Sequence, residues 1–141
     1  MNESDLLPLL RLHLRRDEGI RLKPYKDSVG KLTIGVGRNL EDRGISNEEA
    51  DLMLENDIND HIKALNKSRP WIQQKPVAVR LGLYNMAFNL GVPRLLGFVK
   101  MLELIDHDDY EGAAKEALDS KWAKQVGPRA ERIAELFRSA A

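Results

Sequence analysis

The chain has 141 residues, 43% hydrophobic and 31% charged, which suits one globular domain with a proper core. It has no cysteine, which excludes a disulfide framework and any thiolate metal site. Lys plus Arg and Asp plus Glu balance at 22 each, so a globally basic surface for nucleic acid or an anionic cell wall is absent, leaving only patches such as Arg11, Arg15 and Arg16.

The polar start Met1-Asn2-Glu3-Ser4-Asp5 leads into a leucine-rich run broken by Pro8, Arg11, His13 and Arg15-Arg16. That run is too short and too charged for a signal peptide or a membrane span. Leu7, Leu10 and Leu14 share a helical face, with Asp5 as the expected N-cap, Pro8 in the first turn and Gly19 as the stop. Four residues past Leu14 the stripe reaches Glu18, so the apolar face delivers a carboxylate toward the interior. Asp17 is the competing choice.

Residues 22–37 read as a hairpin. Leu32, Ile34 and Val36 alternate to one, apolar face, and Lys31, Thr33, Gly35 and Gly37 to the other. A three-residue loop, Ser28-Val29-Gly30 with Gly30 left-handed, pairs Asp27 with Lys31 and Tyr25 with Thr33. Gly35 and Gly37 leave the second face bare for a close approach to the backbone.

Ser46 and Glu49 form a capping-box signal. The stripe Ala50, Leu54, Ile58, Ile62 and Leu65 marks a long helix that Arg69-Pro70-Trp71 interrupts. Residues 77–90 are apolar almost all round and read as a central buried helix ending at Gly91. The stretch from Leu95 to Ile105 breaks near Gly97. The next helix starts at Asp108 or Asp109, and the last at Pro128. His13, His61 and His107 lack metal-ligand spacing, Gly35-Val36-Gly37 lacks the frame of a phosphate loop, and Trp71 and Trp122 read as packing residues.

Glu18, Asp27 and Thr33 are the candidates for chemistry. Glycosidic cleavage needs a proton for the leaving oxygen and a carboxylate to activate water or attack the sugar. Glu18 suits the donor, because desolvation on a semi-apolar face raises a carboxyl pKa. Asp27, at a hairpin turn, suits the ionised partner, and the Thr33 hydroxyl suits the task of holding water in line. The same spacing also fits plain capping and solvation.

Three segments in order resemble the phage-type lysozymes, the endolysin family typified by the T-even phage enzyme (glycoside hydrolase family 24). They are Asp17-Glu18-Gly19 through Tyr25, Asp27, Gly30 and Thr33-Ile34-Gly35-Val36-Gly37; then Asn85-Met86-Ala87-Phe88-Asn89-Leu90-Gly91; then Trp122 with Pro128-Arg129-Ala130-Glu131-Arg132. The resemblance implies that Glu18 is the general acid, Asp27 the second carboxylate and Thr33 the positioner of water. It implies hydrolysis, with inversion, of the β-1,4 bond between N-acetylmuramic acid and N-acetylglucosamine in peptidoglycan, with the carboxyl groups about 6.5–9.5 Å apart. Arg129 would pair with Glu18, and Phe88 and Asn89 would line the far wall of the cleft. Asn39 replaces an apolar residue beside the sugar site, Arg38 replaces a histidine, and Met101 and Glu116 differ in type from the substrate contacts they align with.

The implied fold is α+β and mainly helical, a single two-lobed lysozyme-like domain over 1–141. A small β-hairpin lobe, 19–60, is joined by a long helix to a larger helical lobe, 1–18 and 61–141, in which the N-terminal helix packs on helix 77–90. The implied protein needs no cofactor or metal and works as a monomer on a peptidoglycan glycan strand. It binds no nucleic acid and makes no stable membrane insertion. It waits in the host cytoplasm until a phage membrane pore releases it to the periplasmic wall. The rivals are a lytic transglycosylase, which leaves 1,6-anhydro ends, and a non-catalytic peptidoglycan-binding phage protein.

Overall fold

The computed structural model describes residues 2–141. The fold is α+β and mainly helical, as expected, and the chain divides into two compact units: one running to Asp51, the other Leu52–Ala141. Among the described residues, no helix is long and apolar enough to cross a membrane.

The first unit holds helix α1 (Glu3–Glu18) and strands β1 (Arg21–Lys26), β2 (Leu32–Gly35) and β3 (Arg38–Asn39), which form one antiparallel sheet in that order. Helix α1 starts earlier than its leucines suggest. Asn2, not Asp5, is the N-cap: it accepts from the Asp5 N–H at 3.1 Å while Asp5 reaches back to the Asn2 N–H at 3.3 Å. This reciprocal box satisfies two otherwise orphaned donors and moves Pro8 past the first turn. The leucine stripe is not buried, since Leu7, Leu10 and Leu14 stay 42–56% exposed. Helix α1 falls in the same unit as the sheet.

The hairpin register is the expected one at its tip, with Tyr25 opposite Thr33 and Gly30 left-handed at φ 84°. Its second strand is shorter than expected. Gly35 and Gly37 take φ of 69° and 68°, so the strand stops at Gly35, and Val36-Gly37 turn the chain into β3. Burial also departs from the alternation. Thr33 is the buried residue, at 3% exposure, while Leu32 and Val36 are exposed. Thr33 lies mid-sheet, flanked by Tyr25 on one strand and Asn39 on the other, whereas Leu32 borders the tip and Val36 sits in the turn.

Helix α2 (Asn47–Ser68) is launched by the Ser46–Glu49 box: Glu49 N–H donates to Ser46 Oγ at 3.1 Å, and Ser46 N–H to Glu49 Oε1 at 2.8 Å. The unit boundary falls inside this helix. Of its stripe only Leu65 is fully buried. A short 3₁₀ helix, Pro70–Gln74, follows.

The second unit continues with α3 (Val77–Leu90), α4 (Val92–Leu96), α5 (Val99–Asp106), α6 (Tyr110–Leu118), α7 (Lys121–Val126) and α8 (Pro128–Ser139). Asp109 caps α6 through the Gly112 N–H at 2.9 Å, and Gly97 separates α4 from α5. Helix α3 packs on α8, and Gly82 permits the approach, because a Cβ there would lie 2.7 Å from Phe137 Cε1. The core holds Leu83, Met86, Met101, Ile105, Ile133 and Phe137. Helix α3 is not buried all round: Val77 is 63% and Leu81 55% exposed.

Candidate active site

Glu18 ends α1, and Gly19, at φ 72°, turns the chain into β1. The carboxyl group lies over the β2–β3 turn: a Cβ at Gly37 would sit 3.0 Å from Glu18 Oε2. The bare glycine therefore receives a side chain of the protein itself. Glu18 is exposed, so the burial expected to mark it as a proton donor is not observed.

Asp27 is half-buried at the hairpin tip. Its Oδ1 accepts from the backbone N–H groups of Val29 and Lys31, each at 2.9 Å. An aspartate before a three-residue loop is well placed to bond forward in this way, which explains the residue type at the turn. Among the described residues none donates to its other oxygen, Oδ2. The Thr33 hydroxyl donates to the Lys31 carbonyl at 2.9 Å and so points back along its own strand. Tyr25, Thr33 and Asn39 stand in register across the three strands, which puts their side chains on one face.

Asn39 exchanges two bonds with Asp42. Its Nδ2 donates to Asp42 Oδ2, and its Oδ1 accepts from the Asp42 N–H, both at 3.0 Å. Arg38 finds an acid. Its guanidinium meets both oxygens of Glu49 at 2.7 Å and donates to the Gly44 carbonyl at 3.2 Å. The guanidinium first, then the Ser46 N–H, hold the Glu49 carboxyl down at about 2.

In the second unit, Phe88 and Arg129 line one concavity of about 290 Å³ with Leu54, Ile58 and His61. Arg129 Nε donates to Asn85 Oδ1 at 2.9 Å, and the Phe88 ring lies 5.4 Å from the His61 ring. Asn89 does not line this concavity. Its Oδ1 accepts from the indole N–H of buried Trp122 at 2.8 Å, so its amide locks a core tryptophan. Met101 and Glu116 border a separate hollow of about 310 Å³, where Glu116 meets Lys100 at 3.3 Å. His61 and His107 bond to carbonyls four residues back on their own helices, at 2.6 and 2.8 Å.

Sequence reasoning placed Lys31 opposite Asp27 but missed Glu41 and Asp42, which its ammonium meets. The Lys31–Asp42 and Leu32–Glu41 bonds span eleven and nine residues through a loop, and no periodic pattern announces such pairs.

A family model described as phage lysozyme matches residues 15–138. The chain is 33% identical to the pre-baseplate central spike protein Gp5 of Enterobacteria phage T4 over 85% of its own length, although it spans only 26% of that protein. It is 29% identical to "Probable T4-type lysozyme 2" of Dictyostelium discoideum, covering 89% of this chain and 91% of that one. It is 31% identical to an endolysin of Acyrthosiphon pisum secondary endosymbiont phage 1, covering 79% and 75%.

Proposed function

This chain belongs to the phage lysozyme family, a family of glycosidases that cut bacterial peptidoglycan, and from that premise we propose that Glu18, Asp27 and Thr33 are its catalytic set. The enzyme hydrolyses the β-1,4 bond between N-acetylmuramic acid and N-acetylglucosamine, with inversion. Glu18 protonates the leaving oxygen, and Asp27 takes a proton from the attacking water. Thr33 accepts a hydrogen bond from that water and keeps it in line.

One observation carries this reading. Asp27 Oδ1 is fixed by two backbone donors at 2.9 Å, which stops the carboxyl from swinging and leaves Oδ2 for water. The Thr33 proton is committed to Lys31, so its oxygen offers lone pairs. A base and a water-holder ordered before substrate arrives lower the entropy cost of reaction. Asn39, Phe88, Asn89 and Arg129 are the glycan-binding residues of this reading. No cofactor takes part. The protein acts as a monomer on the glycan strand, binds no nucleic acid and makes no stable membrane insertion. It is an endolysin, held in the host cytoplasm until a phage membrane pore lets it reach the wall.

The test is Glu18→Gln. The variant should fold and bind purified cell wall, yet clear outer-membrane-stripped cells about a hundredfold more slowly or worse. Clearance at the native rate would overturn the assignment. The likeness to the spike protein favours a second reading, a wall-cutting unit of a phage particle. Co-expression with a pore-forming phage protein separates them: host lysis supports the endolysin, and incorporation into virions without lysis supports the particle component.

A further inference from the structure

We propose that Lys31 is the positioning residue of the sheet site, holding Asp27, Thr33 and Asn39 as one array; this rests on the reading above that Asp27 and Thr33 act on the glycan. Its backbone makes three of the bonds. The Lys31 N–H donates to Asp27 Oδ1 at 2.9 Å. The Lys31 carbonyl accepts both the Asp27 N–H and the Thr33 hydroxyl, each at 2.9 Å. One residue therefore orients the carboxylate that takes the proton and the hydroxyl that steers the water.

The side chain extends the array to the third member. Lys31 Nζ meets Asp42 Oδ1 at 3.3 Å and Glu41 Oε2 at 3.5 Å. Asp42 grips the Asn39 amide through two bonds of 3.0 Å, and Asn39 stands opposite Thr33. Beside it the Leu40 N–H donates to the Leu32 carbonyl at 2.8 Å, which pins the same loop to the same strand. The ammonium thus ties the first hairpin's tip to the loop that follows β3. Asp42 foremost, then Glu41, hold the ammonium above the ordinary lysine range, so the clamp stays charged.

The clamp contributes geometry more than stability. The side chains of Lys31, Glu41 and Asp42 are 40%, 50% and 57% exposed, and ion pairs this open add little to global stability. Small errors of position, by contrast, are costly to catalysis, with about 1 Å able to cost up to about a hundredfold in rate. Removing the ammonium should therefore slow the enzyme without unfolding it, which a merely structural lysine would not do.

The experiment measures kcat/KM on purified peptidoglycan, together with the thermal midpoint, for Lys31→Met, Lys31→Arg, Asp42→Asn, the Lys31→Met/Asp42→Asn double variant and, as reference, Asp27→Asn. Lys31→Met should lose about tenfold in kcat/KM, with its midpoint within about 2 °C of native. Lys31→Arg should recover to within about threefold, because the cation is kept. The double variant should be no slower than the slower single, since both break one link. The proposal is overturned if Lys31→Met stays within about twofold of native while Asp27→Asn is inactive, or if the two singles add fully. An active Asp27→Asn enzyme would instead overturn the catalytic reading, and the proposal with it.

Discussion

The two units are held together by different physics. In the second, Leu83, Met86, Ile105, Ile133 and Phe137 are at most 1% exposed and interlock across α3, α5 and α8. Burial of this kind contributes about 25 cal/mol per Å² of apolar surface and does not depend on direction. Among the described residues of the first unit the only buried one is Thr33, a polar one. That unit relies on directional contacts: the Asp27 tip, the Asn39–Asp42 exchange, the Ser46–Glu49 box and the Arg38–Glu49 pair. Such bonds each stabilise modestly but set angles closely. The candidate carboxylates lie where angles, not volumes, are controlled.

That contrast makes a graded set of outcomes. Phe137→Ala should cost most, about 3–5 kcal/mol in denaturant unfolding, because it empties the core where α3 meets α8. Gly82→Ala should cost about 1–3 kcal/mol by overpacking, since its new methyl would stand 2.7 Å from the Phe137 ring. Ser46→Ala should cost less, about 1 kcal/mol, by releasing one N-terminal donor of α2. Should Ser46→Ala rival Phe137→Ala, the first unit would depend on far more than directional contacts.

Last comes Arg38→Met, which deletes a half-buried, two-pronged ion pair with Glu49. Its signature is acid sensitivity. Glu49 is depressed from its ordinary 4.5 to about 2, so the pair's contribution is complete above about pH 4.5 and disappears as pH falls toward 2. Thermal midpoints of native and Arg38→Met protein should therefore converge across that window. A constant gap between the two curves would assign the effect to packing of the arginine.

Much of this was legible from residue types alone, where the deciding contact is local. Ser46 with Glu49, Gly91, the Asp108–Asp109 pair and Pro128 marked helix ends because caps act within about one turn. Gly30 set the register of the hairpin tip for the same reason. The start of α1 was misread because Asn2 and Asp5 are both competent caps, and only their reciprocal bonding separates them. Thr33 was placed on a bare face by counting alternation through Gly37, whereas the positive φ at Gly35 ends the strand and the third strand covers its flank. Helix α7 went unread, being only six residues long and built around Trp122. Asp27 and Thr33 were singled out by residue type and by the family resemblance, but the Lys31 clamp that ties their strand to Asn39 was not, because it closes through a loop.

Digestion of purified peptidoglycan in heavy-oxygen water, read by mass spectrometry of the released fragments, tests the central claim most directly. Hydrolysis through an Asp27-activated water predicts one heavy oxygen at each new N-acetylmuramic acid reducing end, and no such fragments from Asp27→Asn protein. Unlabelled fragments closed as 1,6-anhydro rings would contradict it.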